Sequence, residues 1–265
     1  MGAVPSRAGG AETTVVGVLG HTDSKFAADD GSADPAAAAA LAAFAAGTGS
    51  EHAALTALAG ARLLVPVVAA EVAAEVPDGV PDGDAPQPGA SGGSCHVPSG
   101  EKTSEMSIPT LMGQDGRPAV PAFTSLAAMH AWQPGARPVP ADAARVWQAA
   151  AADAAAVVLD IAGPVPLAID GARLAALAAG QPVPLPEHDP DVHAAIGAVA
   201  ATYPQVTAVR LAGDPAGEGP DLTVELSLAP GASPATAGQL GSEILGRLGS
   251  RLRRGLAVTI VPPGS

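Results

Sequence analysis

A chain of 265 residues is long enough for one large folded unit or two small ones. With 26 acidic against 13 basic residues the net charge is −13, which argues against general affinity for nucleic acid or an anionic membrane, and a single cysteine excludes an intrachain disulfide framework or an all-cysteine metal cluster. Aromatic residues are only 2% of the chain while hydrophobic ones are 48%, so a core must be assembled from Val, Leu, Ile and Ala.

Residues 1–33 are small, polar and acidic without an apolar period, and are expected to form a disordered tail. Their longest apolar run, residues 15–20, is too short and too glycine-rich for a secretory signal or a membrane span, which points to a soluble cytoplasmic protein. Asp34-Pro35 predicts a helix start, with Asp as N-cap, Pro in the first turn, and Leu41 and Phe44 on the inner face. A second short helix over 51–59 turns Leu55 and Leu58 inward, and residues 62–68 read as a strand that is apolar on both faces. Residues 71–103 carry five acids by Asp84 and a doubled Val-Pro-Asp-Gly, and are expected to be a disordered acidic insertion.

Order is expected again from Ser104, where Met106, Ile108 and Met112 alternate as in a strand. Asp115-Gly116 marks a hairpin turn, and Pro121 argues for an edge position of the strand over 118–123. Thr124 or Ser125 caps a helix ending near Trp132; a further helix spans 141–154, strands follow at 156–161 and 165–169, and a helix from Gly171 stops at Gly180. Residues 181–187 form a stiff proline-punctuated linker. In 188–262 the order is α-β-β-α-β: one helix places Val192, Ile196, Val199 and Tyr203 on a face, and another places Leu240, Ile244, Leu248 and Leu252 on a face. The fold class is therefore α+β, with two small mixed units at 34–180 and 188–262, each a sheet with helices mainly on one face.

Glu101-Lys102-Thr-Ser104-Glu105-Met106, Pro109-Thr-Leu111, Asp115-Gly-Arg117, Pro121-Ala-Phe123-Thr124-Ser125, Trp132, Ala136-Arg137-Pro-Val-Pro140 and Leu159-Asp160-Ile-Ala-Gly163-Pro164 follow in fixed order and spacing. In this the chain resembles the SseB family, named for the enhanced-serine-sensitivity protein, and in particular its actinobacterial branch. The resemblance covers residues 35–180 as the N-terminal domain and 188–262 as the smaller C-terminal region. It implies a soluble α+β protein and supplies no catalytic residues.

Candidate chemistry is sparse. His188, Asp189, Asp191 and His193 fall within six residues, but the two histidines are five apart across Pro190, and Asp189-Pro190 is explained as a helix cap. Cys95-His96 lies in the acidic stretch, which lacks the electropositive setting that activates a thiolate. No Gly-x-Ser-x-Gly elbow, phosphate-binding loop or dinucleotide fingerprint occurs. Lys102, Ser104, Glu105 and Arg117 are taken as a polar recognition patch beside an exposed Phe123 or Trp132. Arg247, Arg251, Arg253 and Arg254 concentrate charge at one helix end, where the dipole favours it and where an acidic partner, including the chain's own residues 71–84, would find it.

No catalytic residue, metal or cofactor is expected. The preferred reading is a non-catalytic protein-interaction or regulatory module that binds a protein partner or a second copy of itself. A metabolite-binding protein, with a pocket near Trp132 or Trp147, is the alternative; a hydrolase using Ser or a histidine such as His130 ranks third. Polar side chains are expected to be dispersed as folding requires, with no cluster of ionisable groups around a cavity.

Overall fold

The structure, a computed structural model, describes residues 24–71, 104–113, 116–153, 155–163, 165–214 and 219–262. Residues 24–33, expected as the end of a disordered tail, are fixed instead. A 3-10 turn at Ser24–Phe26 leads to Asp29, which pairs with Arg62 at 2.6 Å, and the Gly31 carbonyl accepts from the Leu126 amide. This ion pair, a second between Lys25 and Asp142, and the backbone bond thus replace the apolar period that the segment lacks. Helices α1 (Pro35–Ala45) and α2 (Glu51–Leu58) are capped by Asp34 and Ser50, whose side chains accept from the Ala37 and Ala53 amides. Leu41, Phe44, Leu55 and Leu58 are buried, as their spacing predicts.

Strand β1 (Arg62–Glu71) pairs antiparallel with β2 (Ser104–Ser107) over its second half and with β5 (Arg137–Asp142) over its first. Residues 72–103, the remainder of the expected insertion, lie outside the described residues. β3 (Leu111–Met112), β4 (Pro118–Ala122), β6 (Ala156–Leu159) and β7 (Leu167–Ile169) make a second sheet in the order β3-β4-β6-β7. Leu64 and Phe123 exchange both backbone hydrogen bonds, stitching the two sheets together.

β4 is therefore interior, not an edge strand. Phe123 bonds toward β1 and the Ala122 carbonyl accepts from Asp160 on the β6 side, so strand alternation turns Pro121 away from β6. On that other side β3 pairs only with Pro118 and Ala119, and the missing N–H breaks no ladder bond. β5 also departs from expectation: its prolines at 138 and 140 hid a strand that begins before the predicted helix, and its position at the sheet margin accommodates them. Helices α3 (Leu126–Trp132), α4 (Ala143–Ala152) and α5 (Gly171–Ala178) complete this part, and Trp147 of α4 is wholly buried in its core.

The 181–187 segment is less of a free linker than its prolines suggest, because Val183 is buried in the first core. A second hydrophobic cluster gathers Val192, Ile196 and Val199 from α6 (Pro190–Ala200), Leu222, Val224 and Leu226 from β9 (Leu222–Leu228), and Leu240, Ile244 and Leu248 from α7 (Ala235–Leu248). β9 is central, with β8 (Val206–Ala212) antiparallel and β10 (Leu256–Ile260) parallel to it. Gly241 has a reason to be glycine: a Cβ there would press into Val258, so its absence lets α7 lie close on the sheet. The molecule is α+β, and the apolar cluster of residues 192–252 is separate from those formed by the chain up to Val183.

Candidate functional site

The expected patch does not assemble as a unit. Lys102 lies outside the described residues, and Ser104 and Glu105 sit in β2 opposite Glu71 and Ala70. Arg117 is exposed just before β4 and pairs with Asp170 at 3.0 Å, while Phe123 follows the far end of the same strand, roughly 20 Å away at about 3.3 Å per residue. Phe123 is also buried, contrary to expectation. α3 folds back over it, Met129 and Ala128 cover it, and the half-buried Trp132 stacks on it at 5.5 Å between ring centroids. Among the described residues, neither tryptophan borders the groove between α1 and α3 or the cleft beside Arg173.

His130 is exposed on α3, and Cys95-His96 lies outside the described residues. Asp189 caps α6 by accepting from the Asp191 amide, and the His193 ring bonds the Glu187 carbonyl at 2.8 Å. Among the described residues no group of three or more His, Cys, Asp or Glu could hold a metal ion. Nor is any helix among them long and apolar enough to cross a membrane.

What the chain does bring together are the Phe-Thr-Ser step after β4 and the Leu-Asp end of β6. The two strands run parallel, so Thr124 and Asp160 emerge side by side at their carboxyl ends, the edge where α/β sheets present ligand sites. The Asp160 carboxylate accepts from the Thr124 amide at 2.8 Å and from its hydroxyl at 2.6 Å. Asp160 is 5% exposed and stands in the left-handed region at φ +47°, an arrangement that costs energy outside glycine. Burial pushes its carboxyl above the ordinary aspartate value, against the pull of the two Thr124 hydrogen bonds.

Over this pair opens a groove of about 760 Å³. One wall is α1, presenting Ala38, Ala42 and Ala45, and the other is α3, presenting Ala127 and Ala131. Alanine gives both helices high propensity and short side chains, and the missing bulk is what leaves the space. Ser125 lies on the floor, with its hydroxyl accepting from the Ala128 amide as the N-cap of α3. The groove is thus apolar on its sides, with its polar atoms bonded to one another underneath.

A second constellation contradicts the expected dispersal of charge. Arg117, Asp170, Arg173, Glu51, Arg251 and Asp189 alternate in sign along a continuous chain of contacts. Arg173 reaches Asp170 at 2.6 Å and Glu51 at 2.5 Å; Arg251 reaches Glu51 at 2.9 Å and Asp189 at 2.5 Å. Glu51, Arg173 and Asp189 are all buried. A cleft of about 490 Å³ runs past them, bordered also by Asp191 and Arg247. Burial pushes the Asp170 carboxyl upward, but the guanidinium groups of Arg173 and Arg117 outweigh it and hold the carboxyl below its ordinary value. For Arg251 burial opposes the charge, and Glu51 with Asp189 more than restores it.

Beside this chain the Asp191 carboxylate accepts from the Ala172 amide at 2.7 Å, so the first turn of α6 caps the start of α5. Gly171, at φ +53°, has no room for a Cβ against that carboxylate. The junction is therefore tied by charges and a cap, and each member of the alternating chain is answered by a neighbour. The arginine-rich end of α7 is spent largely within the chain: Arg251 as above, Arg254 on Asp221 at 2.9 Å, and Arg253 over the Phe44 ring at 5.6 Å. Sequence reading missed Glu51 and Arg173 because no local signal links residues so far apart in the chain.

Comparison with curated proteins and with solved structures finds no match. A family model described as the SseB protein N-terminal domain matches residues 38–176, which spans the groove, both sheets of the first core and the Glu51–Arg173 pair. Since that match covers more than half of the sequence, the chain belongs to the SseB family.

Proposed function

We propose that this protein is a non-catalytic interaction module, built as two domains, whose groove between α1 and α3 receives an apolar-stemmed segment of a protein partner. One observation carries the reading: the groove has methyl-covered walls, while Thr124 and Ser125 on its floor are occupied by hydrogen bonds that hold the fold. Small-molecule sites orient their ligands with a few well-placed polar groups. Here Thr124 and Ser125 are engaged in holding the two strand ends and the start of α3, which leaves Asp160 as the floor group with acceptor directions to spare. That favours a protein side chain, positioned by the rest of its own surface, over a metabolite. Ser125 also has a capping role in place of the activating base that a nucleophile needs.

The same reading takes residues 188–262 as the family's smaller C-terminal region and places the chain in its actinobacterial branch, in the cytoplasm. The separate apolar cluster of the α-β-β-α-β part supports the first of these, a second unit at 188–262. Ala42 and Ala131 are exposed helix positions, so Ala42→Gln with Ala131→Gln fills the groove without disturbing the core. Native mass spectrometry of complexes captured on the full chain tests the proposal. A partner held by the wild type and lost by the double variant, with unchanged thermal unfolding, supports it; equal retention by both contradicts it.

A further inference from the structure

Asp160 is the buried ionisable group for which the fold supplies least compensation. Glu51, Asp189, Asp170 and Asp221 each face a guanidinium. Asp160 does not: among the described residues its two oxygens accept only from Thr124, and no cation comes within ion-pair reach of it. Arg62 donates to the Thr124 carbonyl, but its ion pair is with Asp29. A carboxylate has about four lone-pair sites, so two directions remain. An isolated buried carboxylate is costly, and enough compensating charge lowers that cost. The backbone strain at φ +47° adds to what is spent on holding this acid at the groove floor, as strained positions at functional sites do.

The groove adds the second half. Its alanine walls suit an aliphatic stem, and its floor carries the Asp160 carboxyl with two acceptor directions unused. The chain as a whole, at −13, attracts cationic partners over distance. We propose that the groove is a receptor for a lysine side chain of the partner protein, its methylenes between α1 and α3 and its ammonium on Asp160. This rests on the groove reading above and names the chemistry of its occupant. Lysine meets both requirements at once, a stem that packs on apolar surface and a compact charged end.

The test uses the full chain labelled with ¹³C at alanine methyls and titrated with hexylammonium chloride and, separately, hexan-1-ol. A second pair of probes is the peptide acetyl-Leu-Lys-Leu-amide and its norleucine counterpart. The expected result is that hexylammonium and the lysine peptide shift the Ala42, Ala45 and Ala131 methyls, each binding about tenfold more tightly than its uncharged counterpart. In Asp160→Asn, which keeps the left-handed backbone and the Thr124 contacts, that preference disappears. Equal binding of charged and uncharged probes in the wild type overturns the cation assignment and leaves the groove reading standing. Binding of hexylammonium without the lysine peptide overturns a protein lysine as the source. If no probe moves these methyls, both readings fail.

Discussion

Asp160 holds Thr124 through two oxygens, keeps a backbone angle few residues tolerate, and does so at a buried position. Because burial raises its folded-state pKa, this group favours the native state most below the ordinary aspartate range, and that contribution is lost as pH rises through the raised value. Asparagine keeps an acceptor for the Thr124 amide, can donate to the Thr124 hydroxyl, and tolerates the left-handed region. Asp160→Asn is therefore expected to be at least as stable as the wild type near pH 7, with the advantage shrinking toward about pH 4. Asp160→Ala loses both bonds and keeps the strain, and should cost about 2–4 kcal/mol. Urea unfolding of the three proteins at both pH values checks this; an Asn variant weakened as much as Ala at pH 7 would contradict the account. Little of this was legible locally. Thr124 was visible as a possible cap and Asp160 as the end of a strand, but their union depends on β4 and β6 being parallel neighbours.

Elements were legible where one local rule governs them. Asp34, Ser50 and Asp189 cap helices because a short acceptor precedes an apolar period, and β9 alternates over Leu222–Leu226 because one face meets α6 and α7, the pattern failing only at its end where Ser227 is buried and Leu228 half-buried. Two strands were misjudged because proline was weighed without knowledge of neighbours: Pro121 sits opposite the end of a two-residue strand, and Pro138 and Pro140 sit on a margin. The joint between α5 and α6 is an element-scale device of the same hidden kind. Gly171→Ala introduces a Cβ at positive φ against the Asp191 carboxylate and breaks its bond to the Ala172 amide. The expected loss is about 2–3 kcal/mol, from backbone strain and the lost cap together. Asp191→Ala should cost about 1 kcal/mol by the cap alone. Thermal unfolding that ranks the two variants in the reverse order would contradict the geometry.

At the scale of the whole molecule, two apolar clusters are joined by an alternating chain of charges in which Arg251 is the crossing point. Removing one member of a buried ion network costs more than the network's net worth, because the partners stay buried. Arg251→Met leaves the fully buried Asp189 with only the Asp191 amide as partner, and should destabilise by about 3 kcal/mol. Hydrogen exchange is expected to show α7 and α4 opening together in the wild type and α7 opening first in the variant; coincident opening in the variant would mean that something other than this network couples the two parts. The α+β architecture and the α-β-β-α-β order of the second part could be read from periodicity. The network could not, since Glu51 and Arg251 are paired only by the completed fold.

The central claim is that the alanine-walled groove, and not the charged junction, is where this SseB-family protein meets its partner. Alanine-methyl NMR of the full chain bound to the partner captured by it addresses that claim most directly. The account predicts that the largest shifts fall on Ala38, Ala42, Ala45, Ala127 and Ala131. Shifts concentrated instead at Ala168 and Ala172, beside the charged cleft, with the groove methyls unmoved, would contradict it.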